Sequence, residues 1–114
     1  MNNLELKELS LIYFDAFSNK DISKLSEIYD DTVHLIDWAI DVSGKDEVLK
    51  ANKALFENDF SLEVLAIENI HGQSDLKTAN QIEINIEGQS KLKVLDVITF
   101  NSSGKITKII ASKL

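Results

Sequence analysis

The sequence predicts an α+β domain in which a curved antiparallel sheet wraps around a long first helix. Three observations carry this reading. Apolar residues in 3–18, 22–29 and 44–56 recur at helical spacing. From residue 60 onward the pattern changes to period two. Glycine-bearing turns punctuate that second half. Helices first and strands after are the order of an α+β layout, because the sheet must bury one face under the helices.

Residues 3–18 form the first helix. Leu6, Leu9, Tyr13, Ala16 and Phe17 make one stripe, with Ile12 on its border, and Asn2 or Asn3 can cap its start. A short second helix spans about 22–29, with Asp21 as N-cap and Ile22, Leu25, Ile28 and Tyr29 as its apolar side. TVHLIDW, residues 32–38, is β-branched and aromatic and reads as a strand. A third helix begins near Gly44. Ser43 and Asp46 offer a capping box ahead of Val48, Leu49, Ala51, Leu55 and Phe56. Strands follow at 61–71, 77–87, 90–101 and 105–113, joined by HGQSD, EGQS and NSSG.

Composition bounds what such a domain can do. At 114 residues it is a single domain, and 44% hydrophobic residues suffice for a normal core. The net charge of −7 disfavours nucleic acid and anionic membrane as partners. All 12 bases are lysines, so a bidentate guanidinium clamp is excluded, and the lack of cysteine excludes thiolate chemistry. The start MNNLELKELS is too charged for a signal peptide, and no run of 18 apolar residues exists to span a bilayer. These features are compatible with the cytoplasm, the expected location.

Three polar groups fall on apolar faces. In 90–101, Leu92, Val94, Asp96, Ile98 and Phe100 share a face, and the alternate set Lys91, Lys93, Leu95, Val97 and Thr99 is mixed. The first set is the better core face, and it carries Asp96 inward. A β-bulge between 93 and 97 would instead turn Asp96 to solvent. Burial raises a carboxylate pKa, so an inward Asp96 is a neutral acid and a hydrogen-bond donor. Tyr13 lies within the inward stripe of the first helix, where its hydroxyl needs a partner. It is either a core tyrosine or a second donor. Asp37 shares the parity of Val33 and Leu35 at a strand end. It is either a turn-starting acid or a partly desolvated general base. His34 has the opposite parity and points to the outer sheet face, and His71 sits in a turn. The acids and two distant histidines make no metal-ligand cluster. No phosphate loop or nucleophile elbow is present. Neither a metal nor another cofactor is expected.

These segments resemble the nuclear transport factor 2-like superfamily, which includes the SnoaL-like polyketide cyclases and the ketosteroid isomerases. YFDAFSNKDISKLSEIYDD is similar to its opening, VSGKDEVLK to its third-helix entry, and VLDVITFNSSGKITKI to its final hairpin. The resemblance covers nearly the whole chain. It implies a cone-like roll with three helices. It also implies that Tyr13 and Asp96 form an oxyanion hole and that Asp37 is the base. A neutral carboxylic acid donor is the device of ketosteroid isomerase itself. The family often has a proline where Trp38 stands. The lack of arginine argues against the epoxide hydrolases that share the fold.

The expected function is therefore binding of a small apolar carbonyl compound. A cofactor-independent isomerase or cyclase reaction through Asp37, Tyr13 and Asp96 is the chemical form of it. The expected pocket lining is Trp38, Phe17, Phe56, Val94, Ile98 and Asn80, with Glu68 as a further polar candidate. The alternative is a non-catalytic ligand-binding or dimerisation module on the same scaffold. A homodimer would use the outer sheet face, where parity places Leu65, Ile67, Leu95, Val97, Ile109 and His34.

Overall fold

A computed structural model of the chain describes residues 2–70 and 76–114. His71 and the turn HGQSD lie outside the described residues. Helices α1 (Asn3–Ser18) and α2 (Ile22–Ile28) lead into strands β1 (Tyr29–Ile36) and β2 (Asp41–Ser43). Helix α3 (Lys45–Phe56) follows, then β3 (Phe60–Ile70), β4 (Leu76–Ile86), β5 (Leu92–Phe100) and β6 (Ile106–Lys113). The six strands make one curved, open sheet in the order β2-β1-β6-β5-β4-β3. Helix α1 packs on β3 and β4, and α3 packs on β1 and β2. The helices thus cover a concave inner face. No helix among the described residues is long and apolar enough to cross a membrane.

Local chemistry explains the helix ends. Asn2 accepts the Glu5 N–H at 2.9 Å and starts α1. The helix stops at a Schellman turn, with Lys20 at φ 55° and the Asp21 N–H bonded to the Ala16 carbonyl. Asp21 then caps α2 by accepting from Lys24 N–H. The capping box expected at α3 does not form. Gly44 is the N-cap at φ 92°, with no side-chain cap bond. Ser43 is committed to β2, paired with His34, and the Gly44 N–H donates to the Val33 carbonyl instead.

The helical stripe is wider than the spacing predicts. Leu6, Ser10, Tyr13, Phe14, Ala16 and Phe17 are buried, and Ile12 is exposed. The sheet also differs from a purely antiparallel one, because β1 runs parallel to β6. The four long strands form a meander of hairpins. Its last strand docks beside β1, and the count of reversals sets their relative direction.

Register decides which side chains face in. The β4–β5 ladder is continuous from Ile84↔Leu92 to Leu76↔Phe100, so no bulge falls between 93 and 97 and Asp96 is inward. Bulges lie elsewhere. One between Val64 and Ala66 in β3 turns Ile67 inward, opposite Asn80, and sends Glu68 outward to an exposed position. A second irregularity pairs Phe100 with Ile106 but Thr99 with Lys108. It makes Ile109 a buried inner residue opposite Ile98. The expected outer face is thereby corrected: Leu65, Leu95 and Val97 stay on it, Ile67 and Ile109 leave it, and Ile110 joins it opposite Val97.

Candidate active site

The inner face and the helices enclose a cavity of about 260 Å³. Helix α1 supplies Tyr13, Phe14 and Phe17, and α3 supplies Ala51, Asn52 and Leu55. Strands add Leu35, Ile82, Val94 and Ile109, and the loop after β1 adds Asp37, Trp38 and Ile40. Asp96 and Ala111 face one another across the β5–β6 ladder within this lining. Among the described residues, every ionisable group in the wall is an acid or a phenol, and no lysine or histidine lines it.

Tyr13, Asp37 and Asp96 therefore line one cavity, together with Trp38, Phe17 and Val94 from the expected set. Three expected lining residues stand behind the wall instead. Ile98 is fully buried in the core beneath it. Phe56 turns away from the cavity and packs edge-on to Phe17 at 5.0 Å and stacks on Phe60 at 5.9 Å. The face of α3 that meets the cavity runs through Ala51, Asn52 and Leu55, which leaves Phe56 on its flank. Asn80 faces inward but is fully buried in a hydrogen-bond cluster and lines no cavity wall.

The three oxygens sit in different surroundings. Asp96 is 6% exposed, and its carboxyl takes no hydrogen bond from the described residues. Burial, helped by the negative charge of Asp37, pushes its pKa up to about 7. The Tyr13 hydroxyl is held well above its ordinary value by burial first, then by the charges of Tyr29 and Asp96. It keeps its hydrogen at neutral pH and remains a donor. Asp37 is half-buried and has two jobs. Its Oδ1 accepts the N–H groups of Ala39 at 2.7 Å and Ile40 at 2.8 Å, closing the turn after β1. Its Oδ2 carries no bond to the described residues. The turn-starting acid and the cavity acid are thus the same residue.

Two further polar groups complete the site. Tyr29 is fully buried and donates to Asn52 Oδ1 at 2.7 Å. Its ring lies 6.3 Å from that of Tyr13, and the two hydroxyls interact. Asn52 follows Val48 by four residues and Leu49 by three, so its place on the apolar face of α3 was readable from spacing. Tyr29 was readable as buried, but its role was not, because it begins β1 rather than ending α2. At the mouth, Trp38 is 47% exposed and carries Lys113 Nζ 5.0 Å above its ring. His34 points outward and pairs with Asp41, away from the cavity. Among the described residues no three His, Asp or Glu side chains cluster as metal ligands do.

No protein-family model matches the sequence, and no curated protein matches it. Solved structures do match. A candidate ketosteroid isomerase from Kribbella flavida superposes with a TM-score of 0.82 at 13% identity, over 96% of this chain and 78% of that one. A candidate polyketide cyclase from Sinorhizobium meliloti has a TM-score of 0.82 at 18% identity, over 97% and 99%. A de novo designed protein with a curved β-sheet has a TM-score of 0.76 at 18% identity, over 100% and 88%. Identities this low speak to fold alone. The chain has the nuclear transport factor 2-like fold, shared with SnoaL-like and ketosteroid isomerase-like proteins.

Proposed function

We propose that the cavity binds a small, uncharged carbonyl compound and moves a proton within it. The observation that carries this reading is the grouping of Tyr13, Asp37 and Asp96 in one otherwise apolar cavity. Asp37 Oδ2 takes a proton from the carbon next to the carbonyl. The C–H electron pair moves into the new C=C bond, and the carbonyl π pair moves onto oxygen. Tyr13, turning its hydrogen from the Tyr29 hydroxyl, and neutral Asp96 donate hydrogen bonds to that oxygen, where the charge develops. Asp37 then returns the proton to a different carbon, so atoms balance with no cofactor. Among the described residues no cationic side chain lines the wall, which disfavours a ligand that arrives already anionic. The size suits a ligand below the drug-sized range, since pockets for those span roughly 300–1,000 Å³.

The test is the conjugation of a small β,γ-unsaturated ketone, followed by absorbance. The wild type accelerates it, and Asp37→Asn slows it by about 10²–10⁴-fold, the usual worth of a general base. Equal rates for the two proteins would sink the base assignment.

A second reading has its own observation. Leu65 and Ile110 stand exposed on the outer sheet face, with Leu95 and Val97 half-buried beside them. In this reading the chain is a non-catalytic ligand-binding or dimerisation module, and the outer face pairs two copies. Sedimentation equilibrium addresses the pairing, and a strict monomer at high concentration rules it out.

A further inference from the structure

Beside the cavity, under α1, Ser10, Thr78 and Asn80 form a buried hydrogen-bond chain whose direction is fixed. Ser10 Oγ donates its only hydrogen to the Leu6 carbonyl at 3.0 Å. Thr78 Oγ1, 2.8 Å from Ser10 Oγ, is therefore the donor in that pair. That leaves Thr78 Oγ1 as acceptor for Asn80 Nδ2 at 2.9 Å. The second Nδ2 hydrogen goes to the backbone carbonyl of Asp96 at 3.0 Å. Both partners need a donor, so the amide has one orientation. Asn80 Oδ1 is left fully buried with no partner.

Asn80 stands directly across the β4–β5 ladder from Asp96, on the same inner face. Such cross-strand partners have Cβ atoms about 4.5–5.5 Å apart. One of them offers an acceptor without a donor. The other is a carboxyl that takes no hydrogen bond, and as an acid it carries an O–H that needs an acceptor.

We propose that Asn80 is a positioning residue for Asp96: its Oδ1 accepts the carboxylic acid hydrogen of Asp96 in the ligand-free protein, and a ligand carbonyl takes that hydrogen over. The proposal rests on the reading of Asp96 as a neutral acid. Tyr13 from α1, Tyr29 and Asp37 from β1 and its end, Asn80 from β4 and Ala111 from β6 surround the carboxyl. Among them Asp37 is the acid whose negative charge bears on Asp96 and raises its pKa, after burial. Ionising Asp96 would set two bare acceptors face to face and add a second negative charge beside Asp37. Both effects favour the acid. Rotation of the carboxyl O–H from Asn80 toward the cavity then makes the donor available only when a carbonyl oxygen arrives.

The sign of one substitution's effect decides the matter. Asn80→Leu removes the acceptor and makes the surroundings more apolar. If Asn80 holds the acid hydrogen, the Asp96 pKa falls by about one unit despite the drier site. If Asn80 only fills space, desolvation drives the pKa up or leaves it unchanged, which overturns the proposal. Carbon-detected NMR titration of the Asp96 carboxyl reads the change. Thr78→Val keeps Oδ1 and leaves the Asp96 pKa near the wild-type value; a fall as large as that of Asn80→Leu would show that the whole cluster, not Oδ1, sets it. Infrared spectroscopy of the wild type supplies a readout that needs no Asn80 variant to fold. The protonated Asp96 C=O band, identified by its loss in Asp96→Asn, shows a hydrogen-bonded acid, and a free-acid frequency overturns the proposal. An ordinary wild-type Asp96 pKa overturns both this role and the oxyanion hole. A raised pKa that Asn80→Leu does not lower overturns the Asn80 role alone.

Discussion

The inner face of the sheet handles buried polarity in two opposite ways. Under the first turns of α1, Ser10, Thr78 and Asn80 pass hydrogen bonds to one another and to backbone carbonyls until one acceptor is left over. On the neighbouring strand, Asp96 is also buried but receives no hydrogen bond at its carboxyl from the described residues, and the negative charge of Asp37 adds to the effect of its burial. Every donor of the first cluster is satisfied from within the chain, and only the Asn80 Oδ1 acceptor is left over. The second, in the reading proposed above, rests its acid hydrogen on that leftover Asn80 acceptor until a ligand carbonyl takes it. Burial alone does not separate the two; the partner accounting does.

Asp96→Asn tests that contrast with the largest effect on stability. The Asp96 pKa is raised from 3.8 to about 7 in the folded protein. Below the unfolded value both states hold the proton and the group contributes nothing. Between the two values the folded state keeps a proton that the unfolded chain has lost, so stability falls as pH rises. Above the folded value the cost is constant, at most about 4 kcal/mol, because each tenfold change in proton affinity is worth about 1.4 kcal/mol. Asp96→Asn removes this dependence. Urea unfolding should show the variant gaining on the wild type as pH rises from about 4 to 8. A difference that does not change with pH would place Asp96 among the satisfied groups and erase the contrast.

Thr78→Val probes the other side. It strips the acceptor from one Nδ2 hydrogen of Asn80 and breaks the link to Ser10. Leaving a buried donor unpaired costs about 1–3 kcal/mol. The loss should be present at every pH, unlike that of Asp96, and the two unfolding profiles together sharpen the comparison. A neutral substitution would mean that the directional chain adds nothing to stability.

Which of these groups could be read in the sequence follows from how periodicity works. Period two along KVLDVITF places Asp96 inward because that ladder has no bulge. The same rule misplaces Ile67 and Glu68, because one extra residue at 64–66 inverts every side chain after it, and nothing in SLEVLAIEN marks the insertion. It misplaces Ile109 for the same reason, at the irregularity between Phe100 and Lys108. The parallel β1–β6 pair and the short β2 are set by contacts distant in sequence, which local pattern does not carry. Helix spacing finds Tyr13 and Phe17 but misses Ser10 and Phe14, which widen the buried stripe to both sides of Tyr13. Of the candidate site, the three acid and phenol groups were legible from parity and from the family resemblance. The supporting pair Tyr29 and Asn52, and the role of Asn80, required the packing of α3 and β4 against their neighbours.

The smallest effect is expected at the mouth, where polarity meets water. Lys113 sits 5.0 Å over the ring of Trp38, at the end of β6 and opposite Val94. Trp38 is nearly half exposed, so water screens the pair, and exposed cation–π contacts are worth about 0.5–1 kcal/mol. Lys113→Ala should therefore cost less than Thr78→Val. Its clearer signature is optical. Trp38 is the only tryptophan in the chain, so its emission reports on the mouth without interference. Removing the ammonium changes that emission while the unfolding midpoint barely moves. A loss of stability as large as that of Thr78→Val would invert this order. It would mean that the mouth of the cavity, and not the polar cluster under α1, is the more tightly built of the two regions.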